Sequence, residues 1–193
     1  MTAVAPTYTP QEAAALAGVR LQRIQNAITD RQLRGGFRRA RDGRRRLDLP
    51  AVLTFAAVNR LENVHVDLAL LYAAFKKTGV PTGSLAITDM VTIDAGRLLE
   101  PVLRNLDLYE RAKERIICDR KVMGGVPVVK GTRIPARMLH ARIKGGDSVE
   151  GILDDYPYLD RDAIDAAVLY VEANPARGRP AAAKREKPSV GPA

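Results

Sequence analysis

The sequence predicts a mainly α-helical protein with small β elements: an N-terminal winged helix-turn-helix and a C-terminal three-helix domain. Three patterns carry that prediction. Two short helical patterns near the N-terminus are separated by a glycine turn, an arginine-rich hairpin pattern follows them, and three more helical patterns fill residues 135 to 173. With 193 residues and 46% apolar content the chain has enough material for one medium domain or two small ones.

Thr9-Pro10-Gln11-Glu12 reads as a helix start on two grounds, a Thr-to-Glu capping box and a proline at the first helical position. This helix runs through Ala13 to Ala17 and stops at Gly18. Leu21, Ile24, Ala27 and Ile28 then repeat at helical spacing. After Leu33, Gly35-Gly36 leads into Phe37 to Leu47, where Asp42-Gly43 predicts a tight hairpin turn with positive φ at both central positions. Asp48-Leu49-Pro50 opens a third helix with Val52, Leu53, Ala56, Ala57 and Leu61 on its apolar side. Residues 1 to 62 are assigned to this winged unit.

A connector at 63 to 115 holds a helix over 63 to 77, with Val66, Leu70, Ala73 and Ala74 along one face, and a short hairpin over 85 to 93. Its last helix covers 98 to 115, with Pro101 in the first turn. Residues 116 to 174 begin with a β-type segment at 116 to 118, pass through a glycine- and proline-punctuated stretch, and end in three helices. The first stops at Gly145-Gly146, the second starts at Asp147 with a box to Glu150, and the third starts near Asp160. Residues 175 to 193 carry no apolar period and read as a disordered basic tail.

The net charge is +9, and it is unevenly placed. Residues 1 to 62 hold 11 basic and 5 acidic side chains, residues 63 to 115 balance, residues 116 to 174 sum to −1, and the tail sums to +4. In a helix-turn-helix the second helix meets base edges in the major groove with its early residues. Those positions hold Arg20, Gln22, Arg23, Gln25 and Asn26, side-chain types that suit guanine or adenine in bidentate geometry. Residues 31 to 46 contain eight arginines, one acid and no lysine, whereas a solvated surface mixes signs and uses lysine freely. Arg38, Arg39, Arg41, Arg44, Arg45 and Arg46 are therefore assigned to phosphates or the minor groove of double-stranded DNA. RNA and a membrane surface are the other anions such a hairpin could meet. One recognition helix covers too few bases for specific affinity, so a homodimer is expected.

Catalytic constellations are missing from the sequence, and neither an enzyme nor a cofactor is expected. His65 and His140 lie 75 residues apart with no metal-ligand spacing to Cys118, and the acids at 154, 155, 160 and 162 have a capping explanation. A single cysteine makes no internal disulfide, no apolar run approaches the length of a membrane span, and Met1 to Glu12 lacks the pattern of a signal peptide. A cytoplasmic protein without a membrane partner is the expectation.

Gly124-Gly125-x-Pro127, Lys130-Gly131-Thr132-Arg133-Ile134-Pro135, the Gly145-Gly146 break and Asp155-Tyr156-Pro157-x-Leu159 together resemble a small prokaryotic domain, domain of unknown function 433, associated with VapB-type antitoxins. The resemblance covers residues 116 to 174 and implies a homeodomain-like fold. It also implies an antitoxin that silences a PIN-like ribonuclease toxin encoded beside it and represses their shared operon. Because this unit is slightly acidic, with Glu150, Asp154, Asp155, Asp160, Asp162 and Asp165 on its last two helices, it is assigned to protein contact, with DNA left to the front domain. Arg177-Gly178-Arg179-Pro180 matches the core of an AT-hook. Three uses stay open for it: minor-groove contact, solubility, or toxin contact, in which Arg177 and Arg179 pair with the carboxylates that hold Mg²⁺ in such ribonucleases. The front unit also resembles the MerR and excisionase winged-helix group, and the rival function is a stand-alone transcription or excision factor with no toxin.

Overall fold

Thr9 and Glu12 close the capping box read from the sequence. In the computed structural model, which describes residues 6–30, 32, 33, 35–40, 42–61 and 66–175, the Thr9 hydroxyl accepts from the Glu12 amide. The Glu12 carboxylate accepts from the Thr9 amide at 2.6 Å. Helix α1 (Pro10–Ala17) ends at Gly18, whose φ of 68° is the left-handed cap that glycine adopts without strain. Helix α2 (Leu21–Thr29) follows at once.

Ahead of α1, Thr7–Tyr8 forms a short strand, β1, beyond the elements expected from the sequence. It pairs antiparallel with β3 (Arg45–Asp48), which also pairs with β2 (Phe37–Arg39), so the hairpin is the larger part of a three-stranded sheet ordered β1-β3-β2. The turn of the hairpin differs from expectation. Ala40 and Arg44 still pair, the Gly43 amide bonds back to the Ala40 carbonyl at 2.9 Å, and Gly43 has positive φ, 74°. Asp42 instead uses its carboxylate, which accepts from the Arg44 amide at 3.0 Å, so a longer loop with glycine in the left-handed position replaces the two-residue turn.

Asp48 then caps α3 (Leu49–Arg60), accepting from the Ala51 amide at 3.0 Å. Helix α4 (Leu68–Thr78) begins at its own cap, Asp67. Its buried face is Leu71, Tyr72 and Phe75, not the predicted Leu70 and Ala73, because 68, 71, 72 and 75 form the heavier stripe at helical spacing; Leu70 is 46% exposed. The predicted short hairpin is present as β4 (Ser84–Thr88) and β5 (Val91–Asp94). Helix α5 (Ala95–Arg115) starts three residues earlier than expected, since Asp94 caps it by accepting from the Arg97 amide. Pro101 therefore stands in the second turn, where it leaves the Arg97 carbonyl without its helical donor.

Two-residue strands β6 (Ile116–Ile117) and β7 (Val128–Val129) pair antiparallel around a single 3₁₀ turn at Met123–Gly125. Helices α6 (Ala136–Lys144), α7 (Val149–Asp155) and α8 (Arg161–Ala173) complete the described residues. Helix α7 is capped by Ser148, which accepts from the Gly151 amide, and not by Asp147. The expected box to Glu150 does not form, and Glu150 pairs with Arg161 instead.

The molecule is thus mainly helical with small antiparallel sheets. One core joins α1 to α5 around Leu16, Ile24, Phe55, Phe75 and Leu99, so residues of the expected connector belong to the first unit's interior. A second core, around Leu139, Ile152 and Ile164, lies within 116–167. Helix α8 serves both, giving Ile164 to the second and Leu169 and Ala173 to the first. No helix among the described residues is long and apolar enough to cross a membrane.

Candidate nucleic-acid interface

Helix α2 buries Ile24 and Ala27 against α1, which turns Gln22, Arg23, Gln25 and Asn26 to the opposite side, where all four are exposed. Residues 22, 25, 26 and 29 fall on one stripe by helical spacing, with Arg23 beside Asn26. Gln22 donates from Nε2 to Asn26 Oδ1 at 2.7 Å, and Thr29 donates to the Gln25 carbonyl at 3.0 Å. Arg20 precedes the helix in extended conformation, exposed, with no side-chain hydrogen bond to the first turn.

The hairpin sets arginine against arginine. Its register places Arg38 opposite Arg46 and Arg39 opposite Arg45. Like charges directly opposite each other cost stability, so the fold gains nothing from this arrangement. Part of the charge is neutralised within the chain. Arg46 Nη1 lies 3.8 Å from Glu12 Oε2 and its Nη2 lies 3.7 Å from Asp42 Oδ2, while Arg44 Nε also lies 3.7 Å from Asp42. Arg38, Arg39 and Arg45 are exposed and form no ion pair with any described residue, and the same holds for Arg20 and Arg23 on the helix side. The expected contact set therefore divides into five free cations and two, Arg44 and Arg46, already held by acids. Arg41, Arg177 and Arg179 lie outside the described residues, as does His65.

Helix α1 carries both surfaces, packing on α2 and on β3. Its Glu12 is a junction as well as part of the capping box. Besides the Thr9 amide and Arg46, the Glu12 carboxylate accepts from the Tyr109 hydroxyl at 2.9 Å, and that hydroxyl accepts from Asn174 Nδ2 at 3.1 Å. Burial pushes the Tyr109 hydroxyl well above its ordinary pKa; the Asn174 hydrogen bond opposes this and the Glu12 charge adds to it. Asn105 Nδ2 donates to the Leu16 carbonyl at 3.0 Å, a second tie between α5 and α1. Nothing in the local sequence around Tyr109 or Asn174 marks them as partners of a residue near position 12.

The acids on the last two helices are largely occupied. Asp160 bonds Arg115 at 2.7 Å, Asp155 bonds Arg142 at 2.7 Å, Asp162 pairs with Arg111, and Glu150 pairs with Arg161. Asp165 is partly buried, and its carboxyl is pushed above the usual range by that burial. Of the six acids on the last two helices, Glu150, Asp155, Asp160 and Asp162 are thus partnered inside the chain.

Residues 116–171 match the family described as a protein of unknown function, DUF433, from β6 to near the end of α8. Over 191 residues the chain is 31% identical to the uncharacterized protein y4eO of Sinorhizobium fredii (strain NBRC 101917 / NGR234), an alignment that covers 93% of this chain and 86% of that protein. No solved structure matches the chain.

Proposed function

For a chain that belongs to the family of y4eO and carries a DUF433 domain, we propose the role of a DNA-binding antitoxin, which represses its own operon and holds a PIN-like ribonuclease toxin inactive. On this reading α1, α2, the β2–β3 hairpin and α3 are a winged helix-turn-helix, and α6 to α8 are a homeodomain-like unit that serves protein contact. The observation that carries the DNA half is the unneutralised set Arg38, Arg39 and Arg45 on a hairpin whose cross-strand repulsion has no structural return. The polar stripe Gln22, Gln25 and Asn26 with Arg23 supports base reading beside it. The toxin half comes from the resemblance stated above, and the homodimer is part of the same proposal.

Titrating the full chain with its own upstream DNA and with random duplex, at several salt concentrations, tests the reading. Arg38→Ala, Arg39→Ala and Arg45→Ala together weaken both duplexes and flatten the salt dependence by about 0.9 per lost phosphate contact. Gln22→Ala, Arg23→Ala or Asn26→Ala lowers the preference for the specific site by an amount worth about 1 to 3 kcal/mol per good bidentate contact. A salt slope unchanged in the triple variant overturns the assignment of the hairpin.

A further inference from the structure

The geometry points to a protein-docking surface on the β6–β7 loop and the turn after β7. Met123 and Val126 form its apolar knob, Arg120, Lys121, Lys130 and Arg133 form its cationic rim, and the partner it fits is a protein surface with an apolar recess edged by carboxylates. This rests on the antitoxin reading for the partner's identity, the ribonuclease encoded beside the chain.

The first observation is how charge is sorted. Between positions 111 and 175 most of the other cations are tied down: Arg111 to Asp107 and Asp162, Lys113 to Glu110, Arg115 to Asp160, Arg142 to Asp147 and Asp155, Lys144 to Glu172, Arg161 to Glu150; Arg137 on α6 is the exception, exposed and without an ion pair among the described residues. Arg120, Lys121, Lys130 and Arg133 are exposed and have no ion pair among the described residues. Asp119 is the one acid between positions 116 and 146; it is exposed, and its carboxylate accepts from the Lys121 amide at 2.9 Å. The near-zero sum of this unit hides a locally cationic surface.

The second observation is independent of charge. Met123, Gly124 and Gly125 take φ values of 50°, 69° and 88°, and Met123 is the one non-glycine among the described residues with positive φ. A side chain is held there against backbone preference, and its reward is not burial, since Met123 is 48% exposed and Val126 37%. The turn is firmly made: Val122 bonds Asp119, Gly125 bonds Val122, and a Cβ added at Gly125 would touch the Arg120 stem at 3.7 Å. Past β7, Thr132 closes the next turn through the Val129 carbonyl and the Ile134 amide, and Lys130 is anchored by its amide on the Arg115 carbonyl. Val128, Val129 and Ile134 are spent on the core, and the outward residues have no structural task. Pre-formed turns lower the ordering cost of binding.

A protein fits this surface better than nucleic acid does. Phosphate rewards cations alone, whereas an apolar centre with a charged rim, including an adaptable methionine, is the anatomy of a protein contact. Neither α2 nor the β2–β3 hairpin exposes a large apolar side chain.

The test measures binding of the full chain to the adjacent ribonuclease, with a 30-base-pair duplex of its upstream DNA as the second probe. Arg120→Glu, Lys121→Glu, Lys130→Glu and Arg133→Glu together weaken the ribonuclease complex by about 100-fold or more while leaving duplex affinity unchanged. Met123→Gly suits the left-handed backbone, so it keeps or raises the melting temperature and still loses about tenfold in ribonuclease affinity. Equal ribonuclease binding by the wild type and both variants refutes the surface and leaves the antitoxin reading standing. Loss of duplex affinity in the charge variant, with ribonuclease binding intact, refutes it in favour of a second nucleic-acid contact. A wild-type chain that does not bind the ribonuclease refutes the antitoxin reading, and this surface with it.

Discussion

Tyr109→Phe removes one hydroxyl and no volume, from a site that is 3% exposed. The hydroxyl donates to a charged acceptor, Glu12 Oε1 at 2.9 Å, and accepts from a neutral donor, Asn174 Nδ2 at 3.1 Å. A hydrogen bond to a charged group is worth about 1.5 to 3 kcal/mol and a neutral one about 1 kcal/mol. The loss is cushioned on both sides: Glu12 keeps the Thr9 amide and Arg46, and Asn174 keeps the Tyr170 carbonyl at 3.0 Å. The expected cost is therefore about 2 kcal/mol, just below the simple sum of the two bonds. For a chain of this size that lowers the melting temperature by about 4 to 8 °C, read by calorimetry at pH 7. The pH dependence adds a sign. The folded pKa of Tyr109 is raised above the unfolded value of about 10, so its contribution is fully present below pH 10 and is lost as pH rises towards the folded value. The gap between wild type and variant narrows above pH 10. A melting temperature within 1 °C of wild type at pH 7, or a gap that widens in alkali, refutes the bridging role of this hydroxyl.

Gly96→Ala gains helix propensity worth about 1 kcal/mol in α5, yet its Cβ would meet the Thr82 carbonyl oxygen at 2.7 Å. Net destabilisation of about 1 to 2 kcal/mol in urea is the expected result, and a more stable variant contradicts the close approach. Asp160→Ala removes the cap of α8 and the partner of Arg115, costing about 1 kcal/mol at neutral pH. Arg115 holds the Asp160 carboxyl below the usual range against the burial that raises it. Its contribution is thus present above pH 4 and lost as pH falls through the folded value, and acid titration should show the two proteins converging below pH 4. Deleting residues 176–193 leaves duplex binding largely intact and weakens inhibition of the ribonuclease, with Arg177→Ala plus Arg179→Ala reproducing much of the loss. Weaker binding to A·T-rich duplex with unchanged inhibition favours the AT-hook use instead.

Elements whose signals are local were legible in the sequence. The Thr9 to Glu12 box, the Gly18 stop, and the Asp48 and Asp160 caps each depend on three or four consecutive residues, and each forms where the sequence places it. Choices decided by a distant partner were not legible. The face of α4 turned on which of two overlapping stripes the core accepts, and Tyr72 settles it by donating to Asp48, 24 residues away, at 2.9 Å. Strand β1 exists because β3 offers a free edge beside a buried Tyr8, which no two-residue pattern announces. At the candidate interface the basic composition of the hairpin is plain in the sequence, but the division of its described arginines into free and occupied cations is not. Arg46 differs from its neighbour Arg45 in facing Asp42 and Glu12, the latter a contact across 34 positions.

Helix α8 constrains how the two halves work together. Its early residues Ala163, Ile164 and Ala167 fill the second core and its last turn fills the first, so neither half keeps its interior if the other unravels. Gln11 on α1 donates to the Glu172 carbonyl at 3.0 Å, and Asn174 reaches Glu12 through Tyr109. The end of α8 is thereby bonded to the same short helix whose capping carboxylate faces Arg46 on the arginine hairpin. On the antitoxin reading, a partner that steadies the second unit also steadies α1, because the last turn of α8 is packed on it. Such coupling is reciprocal in free energy: whatever factor the ribonuclease adds to duplex affinity, duplex adds to ribonuclease affinity. Tyr109→Phe removes one of the bonded links between those surfaces, so it should lower that mutual factor as well as the melting temperature, while each separate affinity stays near its wild-type value.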